Sequence, residues 1–448
     1  DAAEALREFP DGALLVNDQG VIEWCGRYVD RPELAANAVP IIDHGDAFIL
    51  PGFVDTHIHF PQVNSIDAYG GGQLLEWLNE CIFPAEVRLA DEEFAAGAAG
   101  EFCHRLISAG TTTSLVFGSA FPVAQEALFA EYQRRGLRGV IGRGIQTVGP
   151  DTAKALMTSE EDAIRLTRDE IDRWHPKSPE DEKRALVHVA VVPRFSLSVT
   201  PTTLAALGEL YDHHRNRGVY FTSHLNENNR PGDGEIAAVL DLYKVNTYLD
   251  TYDGLFLPGS KKGGESLLGR RSVLAHCVHC QDSELARMAE TETSISHCPN
   301  SQLFLGSGTM PWLRTIASGV NVALGTDFSA GDSWFMPAVL NAAFKVHISE
   351  PEGEDVALHP AVMLHLATVA GARALDLEDR IGNFDPGREA DMVVIDPNKW
   401  EPLANSLEWG LRSDDPRKRT LGRLFTVLMA CNEVALTETY VRGRKLQT

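Results

Sequence analysis

The stretch PGFVDTHIHFPQ (51–62) decides the fold of this chain and also indicates its chemistry. Its apolar and β-branched residues favour a buried strand, and His57 and His59 stand two positions apart near its end. Because strand side chains alternate between faces, this spacing places both imidazoles on one side, where two ring nitrogens can bind one metal ion. An HxH pair alone is a weak signal, since two core or surface histidines can have the same spacing.

The middle of the chain alternates short apolar strands with helical patterns. Strands are predicted at TTTSLVFG (111–118), YFTSHL (220–225), SVLAHC (272–277), TSISHC (293–298) and VNVALGTD (320–327). Helical patterns occupy residues 92–110, 204–218 and 282–293. Alternation at this spacing over some 300 residues favours a parallel α/β barrel over an open sheet. We therefore predict a TIM-like (β/α)8 barrel over residues 51–384.

Both ends of the chain have the composition of small antiparallel strands. Residues 12–50 alternate short apolar runs with Gly, Asp and Asn. Near the other end, ADMVVIDP (390–397) and FTVLMA (425–430) also predict strands, and ALTETYVRGRKL (435–446) predicts a strand and a hairpin. We expect the two ends to pair, so that residues 1–50 and 385–448 form a small β-sandwich domain.

Composition narrows the class of partner. The 448 residues have a formal net charge of −23 and a pI near 5.0, so nucleic-acid backbones and anionic membranes would repel the surface. Seven dispersed cysteines suggest reduced thiols, and the first residues lack the basic and apolar regions of a secretory signal. We expect a soluble cytoplasmic protein that acts on a small-molecule substrate.

Further candidate metal residues end the predicted strands. His224 closes YFTSHL, His276 closes SVLAHC and Asp327 closes VNVALGTD. Barrel enzymes carry their active sites at the C-terminal ends of the strands, so these side chains should meet the HxH pair. Histidines and a carboxylate suit zinc, and in principle iron(II) or manganese, with a position left for water. A single strand-end histidine or a GTD turn can equally be structural, and only the combination favours a metal site.

The chain resembles the guanine deaminase family of the amidohydrolase superfamily from about residue 45 to about residue 396. The segments that carry the resemblance are PGFVDTHIHFPQ, LLEWLNECIFPAE, GTTTSLVFG, PRFSLS, HLNEN, AHCVH, SHCPNSQLFLGSG and LGTDFSAG. The resemblance implies one zinc ion per chain, held by His57, His59, His224 and Asp327. It further implies hydrolysis of guanine to xanthine and ammonia, and a homodimer.

Deamination of an electron-poor ring requires delivery of water to carbon and protonation of a ring nitrogen and of the departing amine. Glu227 follows His224 by three residues and is predicted to be the proton shuttle. Taken alone, such a residue is more often a helix-start or solvated carboxylate. Asp327 can also take the proton from the attacking water, and His276 is expected to orient that water or to polarise the substrate.

Four residues are predicted to bind the substrate. Arg194 offers a planar set of donors for a carbonyl oxygen, Phe195 a ring face for stacking, and Gln62 both a donor and an acceptor. These groups match the lactam edge of guanine, and adenine lacks that carbonyl. Trp77 can line the pocket, although core packing explains it about as well. The ordinary alternatives are a surface ion pair for Arg194 and a core position for Phe195.

Two loops depart from the family pattern. These are QTVGPDTAKALM (146–157) and PGSKKGGESLLGRR (258–271), and either can shape the rim of the pocket. They leave open a deaminase of a related lactam, such as 8-oxoguanine or a pterin, because fold and metal chemistry alone do not determine the substrate. A non-catalytic barrel scaffold is the third interpretation, but such a scaffold usually loses metal ligands, and every one is present here.

Overall fold

The computed structural model describes residues 2–36, 40–66, 68, 74–230, 234–258, 266–350, 358–409 and 413–448. Its strands are β1 (Gly12–Val16), β2 (Ile22–Arg27), β3 (Phe48–Pro51), β4 (Phe53–His59), β5 (Thr111–Gly118), β6 (Arg138–Arg143), β7 (Val187–Val191), β8 (Tyr220–Leu225), β9 (Ser272–His276), β10 (Ser294–His297), β11 (Val322–Leu324), β12 (Met392–Ile395), β13 (Leu436–Val441) and β14 (Arg444–Lys445). The strands predicted in the middle of the chain are confirmed.

Its helices surround these strands. They are α1 (Ala2–Ala5), α2 (Glu33–Ala36), α3 (Leu74–Trp77), α4 (Phe83–Val87), α5 (Glu92–Ser108), α6 (Pro122–Arg135), α7 (Glu160–Trp174), α8 (Pro179–Arg184), α9 (Pro201–His214), α10 (Glu235–Tyr243), α11 (Leu249–Tyr252), α12 (Asp282–Thr291), α13 (Pro299–Phe304), α14 (Trp312–Ala317), α15 (Met336–Ile348), α16 (Pro360–Ala367), α17 (Val369–Ala374), α18 (Glu401–Trp409) and α19 (Pro416–Ala430). Within the described residues, every helix is too short or too polar to span a membrane.

Strands β4 to β11 form one parallel sheet in which each strand pairs with the next along the chain. Hydrogen bonds from side chains and from a loop connect the last strand, β11, to the first strand, β4. Thr56 Oγ1 donates to the Leu324 carbonyl at 2.9 Å, and the backbone N–H of Asp327 donates to the His57 carbonyl at 2.8 Å. The sheet is therefore nearly closed into a barrel, and the predicted fold class is confirmed.

Helix α5 shows how local sequence builds the outer layer. The side chain of Asp91 accepts a hydrogen bond from the Phe94 N–H at 2.8 Å, which caps the helix start, and acidic residues fill the first turn. Ala95, Phe102 and Leu106 lie at helical spacing and are fully buried against the barrel. The helix predicted at 92–110 is confirmed, apart from its last two residues.

The two ends of the chain also pair as predicted. Strands β14, β13, β12 and β3 form an antiparallel sheet in which Met392 lies opposite Pro51 and Val393 opposite Leu50. Strands β1 and β2 form a separate two-stranded sheet. The division into residues 1–50 plus 385–448 and residues 51–384 stays a prediction.

The strand predicted at FTVLMA (425–430) is wrong, because these residues end helix α19. Asp415 caps the helix by accepting a hydrogen bond from the Arg417 N–H at 2.9 Å, and a proline follows at the first helical position. Leu424, Val427 and Leu428 are buried at helical spacing. The six-residue apolar run is the buried face of a longer helix, which a short window cannot distinguish from a strand.

Candidate active site

The predicted site residues lie at the C-terminal ends of the barrel strands. His57 and His59 lie on β4, His224 lies on β8, His276 ends β9, and Asp327 follows β11 by three residues. His276 and Asp327 have positive φ angles of 73° and 44°. Non-glycine residues in this region are strained, and such strain concentrates at functional sites because the surrounding fold must hold it. The backbone at these strand ends therefore directs the side chains of His276 and Asp327 towards the C-terminal end of the barrel.

The candidate ligand atoms lie close together in two overlapping groups, one of His57, His59 and His224 and the other of His57, His276 and Asp327. His59 Nε2 lies 3.2 Å from His57 Nε2 and 3.2 Å from His224 Nε2. Asp327 Oδ1 lies 3.2 Å from His57 Nε2 and 3.3 Å from His59 Nε2. Tetrahedral ligand bonds of ~2.0–2.1 Å place neighbouring ligand atoms ~3.3–3.4 Å apart, so the spacing fits a single zinc-sized cation.

Hydrogen bonding alone does not explain this cluster. A neutral imidazole has one N–H, yet His59 Nε2 faces the Nε2 atoms of both His57 and His224 at the same distance. At least one pair of nitrogens must then oppose two lone pairs or two N–H groups. A cation between the four atoms removes the conflict, and the donor set of three imidazoles and one carboxylate suits it. The residues present fit a metal ion.

The backbone fixes the orientation of one histidine of the cluster. His224 Nδ1 lies 2.5 Å from the carbonyl oxygen of Arg194. A carbonyl can only accept, so Nδ1 carries the proton and Nε2 presents its lone pair to the cluster. Such a partner on the far ring nitrogen is typical of metal-binding histidines.

Burial favours the uncharged form of His59, His224 and His276 by lowering the pKa of each. It is the main cause that lowers the pKa of His276 to about 3, and burial together with the neighbouring histidines lowers the pKa of His224 well below its ordinary value. For Asp327, burial alone would raise the pKa, but the adjacent His57 and His59 more than offset it and lower the pKa well below that of a free carboxyl. Neutral imidazoles and an ionised carboxylate are the forms that bind a metal.

Glu227 and His276 lie beside the cluster. Glu227 Oε2 is 3.4 Å from His276 Nε2, which in turn is 3.9 Å from Asp327 Oδ2. Burial, followed by the charges of Glu235 and Asp327, raises the pKa of Glu227 well above that of an ordinary carboxyl. Burial thus favours the protonated form of this carboxyl next to the cluster. Its Oε1 and both ring nitrogens of His276 are buried without a hydrogen-bond partner, which leaves them free for a substrate or water.

One cavity contains the rest of the predicted set. It has about 410 Å³ of empty space, part of it open to solvent. The predicted residues that line it are His59, Gln62, Trp77, Arg194, Phe195, His224, Glu227, His276 and Asp327. Trp77 donates from Nε1 to the Ala68 carbonyl at 2.8 Å, so it is both anchored and exposed to the cavity. The structure thus brings together the metal-ligating and substrate-binding candidates in a single space.

Sequence reasoning missed two buried carboxylates at this site. Glu235 lines the cavity and accepts hydrogen bonds from the Tyr248 hydroxyl at 2.8 Å and the Asn228 N–H at 3.2 Å. Burial is the main cause that raises the pKa of Glu235 to about 7. Glu86 accepts a hydrogen bond from Arg194 Nη1 at 2.7 Å. The available signal for Glu86 was an acidic residue within the apolar run IFPAE.

The structure describes the first of the two loops that depart from the family pattern, residues 146–157, and only part of the second, residues 258–271. In the first, Gln146 and Leu156 line a second cavity of about 290 Å³ that also contacts His59, Glu86 and Arg194. Leu156 also packs in one apolar cluster with Trp77, which lines the main cavity. That this loop shapes the rim of the main cavity stays a prediction. Residues 259–265 of the second loop lie outside the described residues.

Comparison with known proteins agrees with this geometry. The model of the amidohydrolase family matches residues 48–427. The chain belongs to the amidohydrolase family. It is 40% identical to the probable guanine deaminase of Deinococcus radiodurans, over 95% of this chain and 90% of that relative. A solved structure of Escherichia coli guanine deaminase superposes with a TM-score of 0.86 at 33% identity, over 100% of this chain and 94% of that one. A guanine deaminase from C. acetobutylicum with guanine bound in its active site superposes with a TM-score of 0.83 at 25% identity, over 99% and 97% of the two chains.

Proposed function

We propose that this chain is a zinc-dependent guanine deaminase that hydrolyses guanine to xanthine and ammonia. The observation that carries the proposal is the main cavity, which joins a four-atom metal cluster to Glu227 and Arg194. The relatives, which match nearly the whole chain and are described as guanine deaminases, support the same substrate. Zinc is the proposed metal because the three-histidine, one-carboxylate set suits its preferred geometry.

A divalent cation held by His57, His59, His224 and Asp327 would supply Lewis-acid activation of water at neutral pH. The protein's own groups supply the proton transfers. Asp327, kept ionised by its histidine neighbours, accepts the proton of the attacking water. Glu227, which retains a proton, donates to the ring nitrogen next to the amino-bearing carbon. Asp327 then passes the proton of the water to the amino group, which leaves as ammonia, and Glu227 recovers its proton from the new hydroxyl as the carbonyl forms. His276, neutral and free of other partners, orients the water by a hydrogen bond.

Arg194 and Phe195, which line the main cavity, recognise the base. The Arg194 guanidinium has five N–H groups, and its bond to Glu86 leaves others to donate to the carbonyl oxygen of guanine. Phe195, 8% exposed at the cavity wall, offers a ring face for stacking. A base without that carbonyl leaves buried donors unpaired, at a cost of ~1–3 kcal/mol for each. This chemistry disfavours adenine.

The test is a side-by-side assay of ammonia release from guanine, 8-oxoguanine, isoxanthopterin, adenine and cytosine by the zinc-loaded enzyme. The proposal expects the highest kcat/KM with guanine. A higher kcat/KM with 8-oxoguanine or the pterin would transfer the assignment to that lactam, and turnover of none of the five would refute it. A solution mass measurement tests the homodimer that the sequence resemblance implies.

A further inference from the structure

We propose that Glu86 is a positioning residue for substrate specificity, which holds Arg194 and Gln62 in the arrangement that recognises the lactam edge of the base. This inference rests on the proposed function and names the residue that makes its selectivity possible. Glu86 is not among the described residues that line the main cavity, so it acts through its two partners.

Glu86 uses one carboxylate oxygen for each partner. Oε2 accepts a hydrogen bond from Arg194 Nη1 at 2.7 Å, and Oε1 accepts one from Gln62 Nε2 at 3.2 Å. The other end of the Gln62 amide is fixed as well, because Ser329 Oγ donates to Gln62 Oε1 at 3.3 Å. Half a turn of the amide would place its oxygen against the carboxylate, which is unfavourable, whereas the hydroxyl can either donate or accept. Glu86 thus sets which face of Gln62 is donor and which is acceptor.

Burial makes this carboxylate necessary. The side chains of Glu86 and Arg194 are 7% and 10% exposed. A guanidinium at such a site needs a counter-ion, since an isolated buried charge is costly. The carboxylate supplies it from the side away from the main cavity, so the remaining N–H groups of Arg194 stay available to a ligand.

Helix α4 presents a second contact to the same arginine. Phe83 and Glu86 are three positions apart, so they share one face of the helix. The Arg194 guanidinium carbon lies 5.2 Å from the centre of the Phe83 ring, within range of a cation–π contact. One turn of helix α4 therefore contacts the guanidinium twice, by the charge of Glu86 and by the ring of Phe83.

The hydrogen bond between Arg194 and the metal cluster is made by the backbone of Arg194. Its carbonyl accepts from His224 Nδ1, whereas its side chain bonds to Glu86. Loss of the Glu86 carboxylate should therefore disturb base recognition without releasing the metal. This separation distinguishes a positioning role from a general structural one.

The experiment compares guanine with 2-aminopurine, which keeps the reacting amino group but lacks the carbonyl oxygen. In Glu86→Gln we expect kcat/KM for guanine to fall ~10- to 100-fold, with a much smaller loss for 2-aminopurine. The ratio of kcat/KM for guanine to kcat/KM for 2-aminopurine should therefore fall. Zinc content should equal that of the wild type. Glu86→Asp keeps the charge and should restore part of the ratio.

A matched control is Asp253→Asn, which removes the charge of another buried pair, with Arg287 Nε at 2.8 Å, outside both cavities. This variant should lose thermal stability but keep the wild-type substrate ratio. A double-mutant cycle completes the test: in an Arg194→Met background, Glu86→Gln should cost clearly less with guanine than it does in the wild type, because only its contact with Gln62 is left to lose.

Two failures are distinguishable. If the wild-type zinc enzyme does not deaminate guanine, the proposed function falls and this inference falls with it. If the wild type is active but Glu86→Gln and Glu86→Asp both keep its guanine to 2-aminopurine ratio, only the role of Glu86 is overturned. Full additivity of the Glu86 and Arg194 losses would overturn it as well.

Discussion

Replacement of Glu227 by glutamine removes the proposed proton donor while leaving the shape of the site almost unchanged. The side chain is 3% exposed, its Oε2 lies 3.4 Å from His276 Nε2, and it belongs to neither metal-binding group of side chains in the described residues. Positioned proton transfer contributes ~10²- to 10⁴-fold to a rate, which corresponds to ~2.7–5.4 kcal/mol of barrier. We expect kcat for guanine to fall within that range, with zinc content unchanged.

Stability should change little in the same variant. Burial raises the pKa of Glu227, so the folded protein already prefers a neutral side chain there, and the glutamine amide is neutral and of similar size. A midpoint shift of roughly 2 °C or less is expected for a chain of this size. Glu170→Gln is the control for kcat only, because this buried carboxyl lines neither cavity. It also removes the ion pair with Arg143 at 2.6 Å, so this variant should lose stability. The control should keep wild-type kcat.

The assay is ammonia release from guanine at saturating substrate, normalised to zinc content. If Glu227→Gln retains more than ~10% of wild-type kcat with a full complement of zinc, the proton-donor assignment is wrong. A loss of zinc in this variant would instead assign Glu227 to the metal site.

Two further predictions address recognition and pH. Arg194→Met should lower kcat/KM for guanine ~10- to 100-fold with zinc retained, because the backbone carbonyl that orients His224 remains; an unchanged kcat/KM would remove Arg194 from the substrate contacts. His175 accepts from the Val189 N–H at Nδ1 and donates to the Arg217 carbonyl from Nε2, and burial is the main cause that lowers its pKa from 6.5 to about 4. A lowered pKa means that the folded state resists protonation, so this contribution to stability is complete above pH ~6.5 and is lost as the pH falls towards ~4, by about 3 kcal/mol. In thermal unfolding, His175→Gln should therefore lose less stability than the wild type between pH 7.5 and 4.5, and parallel profiles would contradict the assignment.

The sequence predicted the parts of the molecule that depend on local pattern. Strand β4 is buried at every position, so its HxH spacing alone placed His57 and His59 on the same face. The strand-end positions of His224 and Asp327 followed from barrel topology.

Long-range contacts explain what the sequence could not predict. Glu86 is 108 residues from Arg194 along the chain, and only the barrel brings them together. Glu235 follows a loop and gives no local sign that it will be buried. Helix α19 was mistaken for a strand because its apolar residues were considered without the cap at Asp415 ten residues earlier.

The central claim is that one metal ion at the four-atom cluster makes this chain a guanine deaminase. The most direct test removes the metal with a chelator, returns zinc in measured steps, and follows ammonia release from guanine against bound zinc. We predict negligible turnover in the metal-free protein and a linear rise that levels off at one zinc per chain. Full turnover without metal, or a protein that binds one zinc per chain and still does not deaminate guanine, would contradict it.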